Sequence, residues 1–132
     1  GEEDSRTLWR EIRDVRLIPQ GRPLWRLSIA PSDAAELAAW AAEFAPERYW
    51  DWAGGLLWLA PKAAWGDAAE TVRNALEGRG GHATLIRADE HARARVPVFQ
   101  PQPEPLAALT RRVKASFDPK GVLNPGRMYA GV

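Results

Sequence analysis

The sequence predicts an α+β fold, because strand-like and helix-like segments follow one another from Leu24 to Arg87 in the order β-α-β-β-α-β. A Gly54-Gly55 pair separates two short apolar runs, as in a hairpin, and Pro or Gly residues flank both helical segments. This order is that of the split β-α-β, or ferredoxin-like, arrangement, in which both helices cover one face of a four-stranded antiparallel sheet. We expect residues 1–132 to form a single domain with one further helix at each end.

Alternation of apolar and polar residues predicts the strands. In the first strand Trp25, Leu27 and Ile29 fall on one face, whereas Arg26 and Ser28 fall on the other, as expected for a strand with one buried face. The predicted strands are 24–30, 48–52, 56–60 and 82–87.

Apolar residues three and four apart predict the helices. The first predicted helix runs from Ser5, its expected N-cap, to Asp14, and the second follows the strand stop at Pro31–Asp33 and ends at Phe44. The third begins at a capping-box-like pair, Asp67 and Glu70, and ends at the turn that starts with Gly78. After the last strand we expect a mobile loop at 89–95 and a short extra strand at 96–99. A final helix then follows the prolines at 101, 103 and 105, and Pro119 ends it. Its buried side is predicted to consist of Leu106, Leu109, Val113 and Phe117.

Composition excludes several classes of protein. The formal net charge is only +1, which argues against a nucleic-acid binder. The chain has no Cys, so disulfides, thiolate catalysis and cysteine-bound metal centres are excluded. No apolar run approaches the ~20 residues that span a bilayer, and the first residues do not resemble a signal peptide. We therefore expect a protein without membrane insertion, located in the cytoplasm.

Few residues are candidates for chemistry. His82 and His91 are the only imidazoles, and without a nearby carboxylate cluster they predict no metal site. His82, at the start of a strand, is the best-placed general base, although a hydrogen-bonded structural role is the alternative. Arg87 is a candidate for binding a substrate carboxylate through paired N–H donors, or a surface ion-pair partner. Of the seven Trp, Trp50 and Trp52 are expected on one strand face and Trp58 on the neighbouring strand, where they would together line a hydrophobic docking or substrate surface. Core packing is the alternative for at least part of this set.

The end of the chain carries a recognisable motif. The stretch Lys114–Arg127, KASFDPKGVLNPGR, resembles the FDPxGxLNPGK/R ending of FAD-linked oxidases of the vanillyl-alcohol oxidase type. The segments PLWRLS at 23–28, GGL at 54–56 and GGHATL at 80–85 are similar to the FAD-binding subunits of bacterial glycolate oxidases. Together these segments extend the resemblance from about residue 8 to residue 129.

The resemblance implies that the chain is the C-terminal cap or substrate domain of such a subunit. The pyrophosphate loop of the family belongs to a preceding FAD-binding domain, so FAD is expected in the full-length protein but not on this domain alone, which should be inactive. By resemblance His82 would lie near the substrate. The residues expected near the flavin are Asn124, Pro125, Gly126 and Arg127. The His-rich metal motif of the related catalytic subunit is not present.

The same resemblance implies the partners. These are the FAD-binding domain of the same protein, the catalytic flavoprotein and iron–sulfur subunits of a glycolate oxidase complex, and a small 2-hydroxy acid. The complex would hold the protein peripherally at the membrane. The alternative from another class is a non-catalytic ferredoxin-like module that binds a ligand or dimerises through its Trp-bearing sheet.

Overall fold

A computed structural model describes residues 1–62 and 65–132, without the side chains of residues 65–67. Two short 3₁₀ turns span Pro31–Asp33 and Trp52–Gly54. The helices and strands are, in chain order, α1 (Glu2–Arg13), β1 (Leu24–Ser28), α2 (Ala34–Phe44), β2 (Glu47–Asp51), β3 (Leu56–Ala60), α3 (Trp65–Asn74), β4 (His82–Arg87), α4 (Glu90–Arg95) and α5 (Glu104–Phe117).

The four strands form one sheet in the order β2-β3-β1-β4, and every neighbouring pair is antiparallel. β1 and β2 are joined through α2 with β3 lying between them, which is the split β-α-β connection. The structure therefore confirms the predicted α+β fold. The boundaries of β3 and β4 are those predicted, whereas β1 is two residues shorter.

The main core lies between α2, α3 and one face of the sheet, here called the inner face. Trp25 and Leu27 of β1 point into it and are 1% and 0% exposed, whereas Arg26 and Ser28 are only partly buried. This confirms the predicted alternation. The other core residues include Leu37, Ala41, Leu57, Leu59, Val72, Leu76, Ala83 and Leu85. Full burial of each large aliphatic side chain contributes about 1.5–3 kcal/mol to folding.

The opposite, outer face of the sheet is partly covered by the N-terminal segment. Val15 and Ile18, which follow α1, pack with Leu24 and Ala60 in a second buried cluster. The Tyr49 hydroxyl donates a hydrogen bond of 2.9 Å to the carbonyl oxygen of Ile12 and so ties the end of α1 to β2.

The predicted N-cap of the first helix is wrong, and the capping box predicted for the third helix falls outside the described side chains. α1 begins at Glu2, with Gly1 as its N-cap, so Ser5 lies inside it. Acidic residues in the first turn favour this earlier start because they complement the helix dipole. α3 begins at Trp65, so Asp67 lies inside that helix, and the capping contact proposed for its side chain falls outside the described residues.

The segment after β4 differs from the expected loop and strand. Residues Glu90–Arg95 form α4, because the Asp89 carboxylate accepts a 2.7 Å hydrogen bond from the Ala92 amide and caps the helix. Residues 96–99 form no strand, although the Leu85 amide donates to the Val98 carbonyl at 2.9 Å. This segment therefore touches the edge of β4 without extending the sheet as a regular strand.

α5 forms and ends before Pro119 as predicted, but its predicted burial is wrong. Leu106, Leu109 and Val113 are 47%, 51% and 49% exposed, and Phe117 is 84% exposed. Apolar periodicity identifies which face of a helix is apolar, but it does not say which surface covers that face. Among residues 1–62 and 65–132, none of the helices is long and apolar enough to cross a membrane.

Candidate functional site

His82 lies on the outer face of the sheet, as the first residue of β4. Its side chain is exposed, and Ser28 of β1 is its antiparallel partner. Arg26, two residues before Ser28, is paired with Thr84 on one side and with Trp58 on the other. Directly paired residues of antiparallel strands point to the same face. The outer face therefore brings the predicted catalytic imidazole and a cation, Arg26, onto one surface.

A pocket of about 320 Å³ opens beside Arg26 between α1 and the β2–β3 connection. Trp9, Trp52 and Trp58 contribute to its walls, and the Arg26 guanidinium lies 5.2 Å from the centre of the Trp52 ring. Sequence reasoning placed Arg26 only on the polar face of a strand. One sequence feature could have indicated this site. Arg26 is a cation on the outward face of a strand, and the chain is rich in tryptophan.

The Trp52 ring is positioned by an unusual backbone. Trp52 and Ala53 both have positive φ angles, of 52° and 50°, which residues with a side chain adopt rarely. The Asp51 carboxylate accepts a 2.7 Å hydrogen bond from the Trp52 amide and holds this turn. The partly buried hydroxyl of Tyr49 nearby has its pKa raised to about 12, because burial disfavours the phenolate and the charge of Asp51 opposes it further.

Trp50 and Trp58 do not share a surface, contrary to expectation. Trp50 is paired with Leu57 and packs against the main core on the inner face. Trp58 is paired with Tyr49 on the outer face, where it packs against the second buried cluster. A surface shared by Trp50 and Trp58 is excluded, because Trp50 is paired with Leu57 and adjacent residues of a strand, such as Leu57 and Trp58, point to opposite faces.

Arg87 is engaged within the protein. Its Nε donates to the Arg22 carbonyl at 2.8 Å, and its two terminal nitrogens donate to Gln20 Oε1 at 2.9 Å and to the Pro19 carbonyl at 2.8 Å. Three of its five N–H donors are thus used to fasten the turn between α1 and β1 to β4. These contacts give Arg87 a structural role, and its contact with substrate remains a prediction.

Asp118 organises the terminal motif. Its buried carboxylate accepts hydrogen bonds from Lys114 Nζ at 2.6 Å and from the amides of Val122 and Leu123 at 3.1 and 2.8 Å. The Lys114 hydrogen bond, followed by that of the Leu123 amide, lowers the pKa of Asp118 to about 2. Lys114 Nζ also donates to the Leu123 carbonyl, so one lysine and one carboxylate close the loop. The motif therefore encodes a preformed loop rather than a simple turn.

The four residues predicted near a cofactor follow this loop. Asn124 and Gly126 both have positive φ angles, of 47° and 68°, and the Arg127 amide donates to the Asn124 carbonyl at 3.2 Å. Gly126 and Arg127 line a groove of about 610 Å³ between the segment after β4 and the chain end, whereas Pro125 lines a neighbouring depression.

The chemistry of this groove is cationic and aromatic. The rings of Phe99 and Tyr129 lie 6.1 Å apart on its wall. Among the residues that the structure describes, no Asp or Glu lines it, and its cations are Arg93, Arg95, Arg111 and Arg127. Arg111 is ion-paired with Glu104. Within the described part of the chain, no three His, Cys, Asp or Glu side chains are arranged to hold a metal ion.

Comparison with known proteins gives two matches. Residues 99–128, which span the groove wall, α5 and the Asp118 loop, match the family model described as FAD linked oxidases, C-terminal domain. Over 132 residues the chain is 36% identical to the glycolate oxidase subunit GlcE of Escherichia coli (strain K12). That alignment covers 98% of this chain and 33% of the relative, so the chain spans about a third of its relative's length. No solved structure matches the chain.

Proposed function

We propose that this chain, a FAD-linked oxidase C-terminal domain homologous to glycolate oxidase subunit GlcE, completes the flavin-proximal pocket of a flavin-dependent 2-hydroxy acid oxidase or dehydrogenase subunit. It would do so by docking on a FAD-binding domain and by adding groups to the cofactor and substrate sites. The finished subunit would assemble with the catalytic flavoprotein and iron–sulfur subunits of a glycolate oxidase complex.

The observation that carries the proposal is an exposed apolar surface within the segment that the family model matches. The α5 face, defined as Leu106, Leu109, Val113 and Phe117, is about half or more exposed. Val122, Leu123 and Met128 of the terminal segment are exposed as well, and all seven residues fall within the matched range 99–128. Contiguous exposed apolar surface on a domain commonly marks a contact with another protein surface.

The length of the relative supports the FAD-binding domain as the occupant of this surface. The alignment leaves about two thirds of GlcE outside the matched part, enough for a further domain. A domain joined in the same polypeptide meets the α5 face at a high effective concentration, so even a modest apolar contact is sufficient for docking.

The groove beside Arg127 fits part of a flavin nucleotide. Arginine donors suit phosphate oxygens, and the rings of Phe99 and Tyr129 suit a flat aromatic group. A complete pyrophosphate cradle normally uses free backbone N–H groups at a helix N-terminus. At the start of α5, Pro103 and Pro105 have no N–H to offer. We therefore infer that the groove supplies only part of the cofactor site. The backbone that binds the pyrophosphate would lie in the FAD-binding domain.

His82 is the residue that we propose to act on the substrate. When bound, FAD supplies an acceptor for the hydride that leaves the α-carbon of a 2-hydroxy acid. The hydroxyl proton must leave as well, and the ring nitrogen of a histidine is a common acceptor for such a proton. The exposure of His82 on the outer face supports this role because a substrate can reach it.

Flavin retention tests where the cradle lies. FAD is added to the 132-residue chain and to a polypeptide in which a FAD-binding domain precedes it, and flavin absorbance is read after desalting. We expect stoichiometric flavin only on the longer polypeptide. Stoichiometric flavin on the chain alone would show that the cradle lies within it and would overturn this part of the proposal.

Substitutions on the α5 face test the docking. In the longer polypeptide, Leu109→Ser with Phe117→Ser should weaken domain docking and lower flavin retention, because each leucine-sized contact contributes about 1 kcal/mol when its exposed half is buried. Leu17→Ser is the matched control, since Leu17 is 48% exposed and lies outside α5. Equal flavin retention by all variants would refute docking through this face. A tight dimer that survives deletion of residues 115–132, seen by light scattering, would favour the dimerisation module instead.

A further inference from the structure

Arg26 is a half-buried cation that no described residue neutralises. Among the side chains of residues 1–62 and 68–132, its guanidinium forms no ion pair and no hydrogen bond, and its contact is with the ring of Trp52. Other half-buried arginines do have polar partners: Arg22 and Arg87 each donate hydrogen bonds to backbone carbonyls. A guanidinium placed among aromatic rings with free N–H donors is well suited to bind an anion.

The pocket beside Arg26 limits the size of that anion. Its volume of about 320 Å³ lies at the small end of the range for ligand sites, which favours a molecule with few heavy atoms. Indole rings of Trp9, Trp52 and Trp58 form apolar walls. The strained Trp52-Ala53 backbone places one of these rings over the guanidinium, and such strain is concentrated at ligand sites in proteins.

The charges around the pocket limit the charge of the ligand. Besides Arg26, the lining includes Arg13 and Asp51. Arg13 is ion-paired with Asp14 at 2.7 Å, and Arg16 lies 3.7 Å from the same carboxylate, so the charge of Arg13 is partly balanced. The Asp51 carboxylate, although it accepts the Trp52 amide, would repel a second negative charge. This combination favours a monoanion over a dianion.

We propose that Arg26 binds the carboxylate of a small 2-hydroxy monocarboxylic acid in this pocket. The guanidinium holds both carboxylate oxygens, and the indole rings pack against the short carbon chain. Of the polar groups that line the pocket, the Asp51 carboxylate offers an acceptor for the 2-hydroxyl group. The proposal rests on the proposed function and deepens it, because His82 is the diagonal neighbour of Arg26 across β1 and β4, about 7–8 Å away.

The binding is tested without flavin, on the 132-residue chain. Two-dimensional NMR spectra of the indole N–H groups are recorded during titration with glycolate, acetate or ethylene glycol. With glycolate, the signals of Trp9, Trp52 and Trp58 should shift. The signals of Trp25 and Trp40, on the helix-covered side, are internal controls and should stay in place. Acetate should bind more weakly than glycolate, and ethylene glycol should produce no shift.

Variants then test the role of Arg26 itself. Arg26→Gln should weaken glycolate binding at least tenfold, and Arg26→Lys should restore it only in part because an ammonium lacks the two-pronged donor geometry. Arg112→Gln, an exposed site on α5, is the matched control and should bind like the parent. Unchanged signals at Trp25 show that each variant is folded.

Three results would overturn the proposal: unweakened binding by a folded Arg26→Gln variant, equal binding of acetate and glycolate, or no shift at Trp9, Trp52 and Trp58. Flavin retention by the longer polypeptide is measured separately and does not depend on Arg26. Failure of this site and failure of the proposed function are therefore distinguishable.

Discussion

Gly81→Ala should destabilise the fold much more than the same change at Gly78. Both glycines have a positive φ, of 87° at Gly81 and 73° at Gly78, in the turn that leads into β4. A Cβ at Gly81 would collide with the carbonyl oxygen of Ser28 and lie 3.3 Å from the Ile29 Cα. A Cβ at Gly78 would meet nothing within 4 Å. Gly78→Ala is therefore a control that carries the conformational cost without the collision.

The two contributions can be separated. A left-handed backbone with a Cβ costs about 1–2 kcal/mol, and this applies to both variants. At Gly81 the collision partner is backbone, which cannot rotate away, so β1 and β4 must move apart at a further cost of about 1–3 kcal/mol. We expect a free energy of unfolding lowered by about 1–2 kcal/mol for Gly78→Ala and by about 2–5 kcal/mol for Gly81→Ala.

Urea unfolding followed by tryptophan fluorescence measures both values, because Trp25 is 1% exposed and reports the core. Hydrogen exchange gives a second readout. The backbone amide of His82, the strand partner of Ser28, should exchange with solvent faster in Gly81→Ala. If Gly81→Ala unfolds within about 0.5 kcal/mol of Gly78→Ala, a difference no larger than a neutral surface change, the close approach of the turn to β1 is refuted.

Two further predictions concern Asp118 and Arg87. Since the pKa of Asp118 is lowered to about 2 from the usual 3.8, its contribution to stability is complete above pH ~4 and is lost as the pH falls towards 2. Faster exchange of the Leu123 amide over that pH interval should report the loss, and Asp118→Asn should show it already at neutral pH. Arg87→Lys should lower the free energy of unfolding, measured by urea titration, by about 1–3 kcal/mol, because a lysine cannot reach all three acceptors. The indole shifts that glycolate induces should stay unchanged. A loss of those shifts would instead restore Arg87 as a substrate contact.

The sheet was predictable because each strand has one buried face. Trp25, Leu27 and Ile29 alternate with Arg26 and Ser28, and a one-residue shift would expose the whole apolar set. α4 was not predictable by the same means. It is six residues long and buries only Ala92, so it leaves no apolar period in the sequence. Its start depends on a single capping residue, Asp89. An Asp is equally common in a polar loop, so this residue does not distinguish a helix from a loop.

The site was predictable only in part. The position of His82 on the outer face follows from alternation along β4. The separation of Trp50 from Trp58 depends on register, because only the pairing of Trp50 with Leu57 shows that they point to opposite faces. Arg26 acquires its aromatic neighbours from α1 and from the β2–β3 connection, which are distant in sequence. No local pattern carries that information.

The segment that follows α4 has a consequence for the solubility of the folding chain. β4 lies at the end of the sheet order, so its free backbone groups would be a template for another strand. The Leu85 amide is satisfied by the Val98 carbonyl and the Ala83 amide by Gln100 Oε1, at 2.9 and 3.3 Å. One carbonyl and one side-chain amide thus blunt this edge. A chain ending before residue 96 would expose both amides and should aggregate through edge-to-edge pairing.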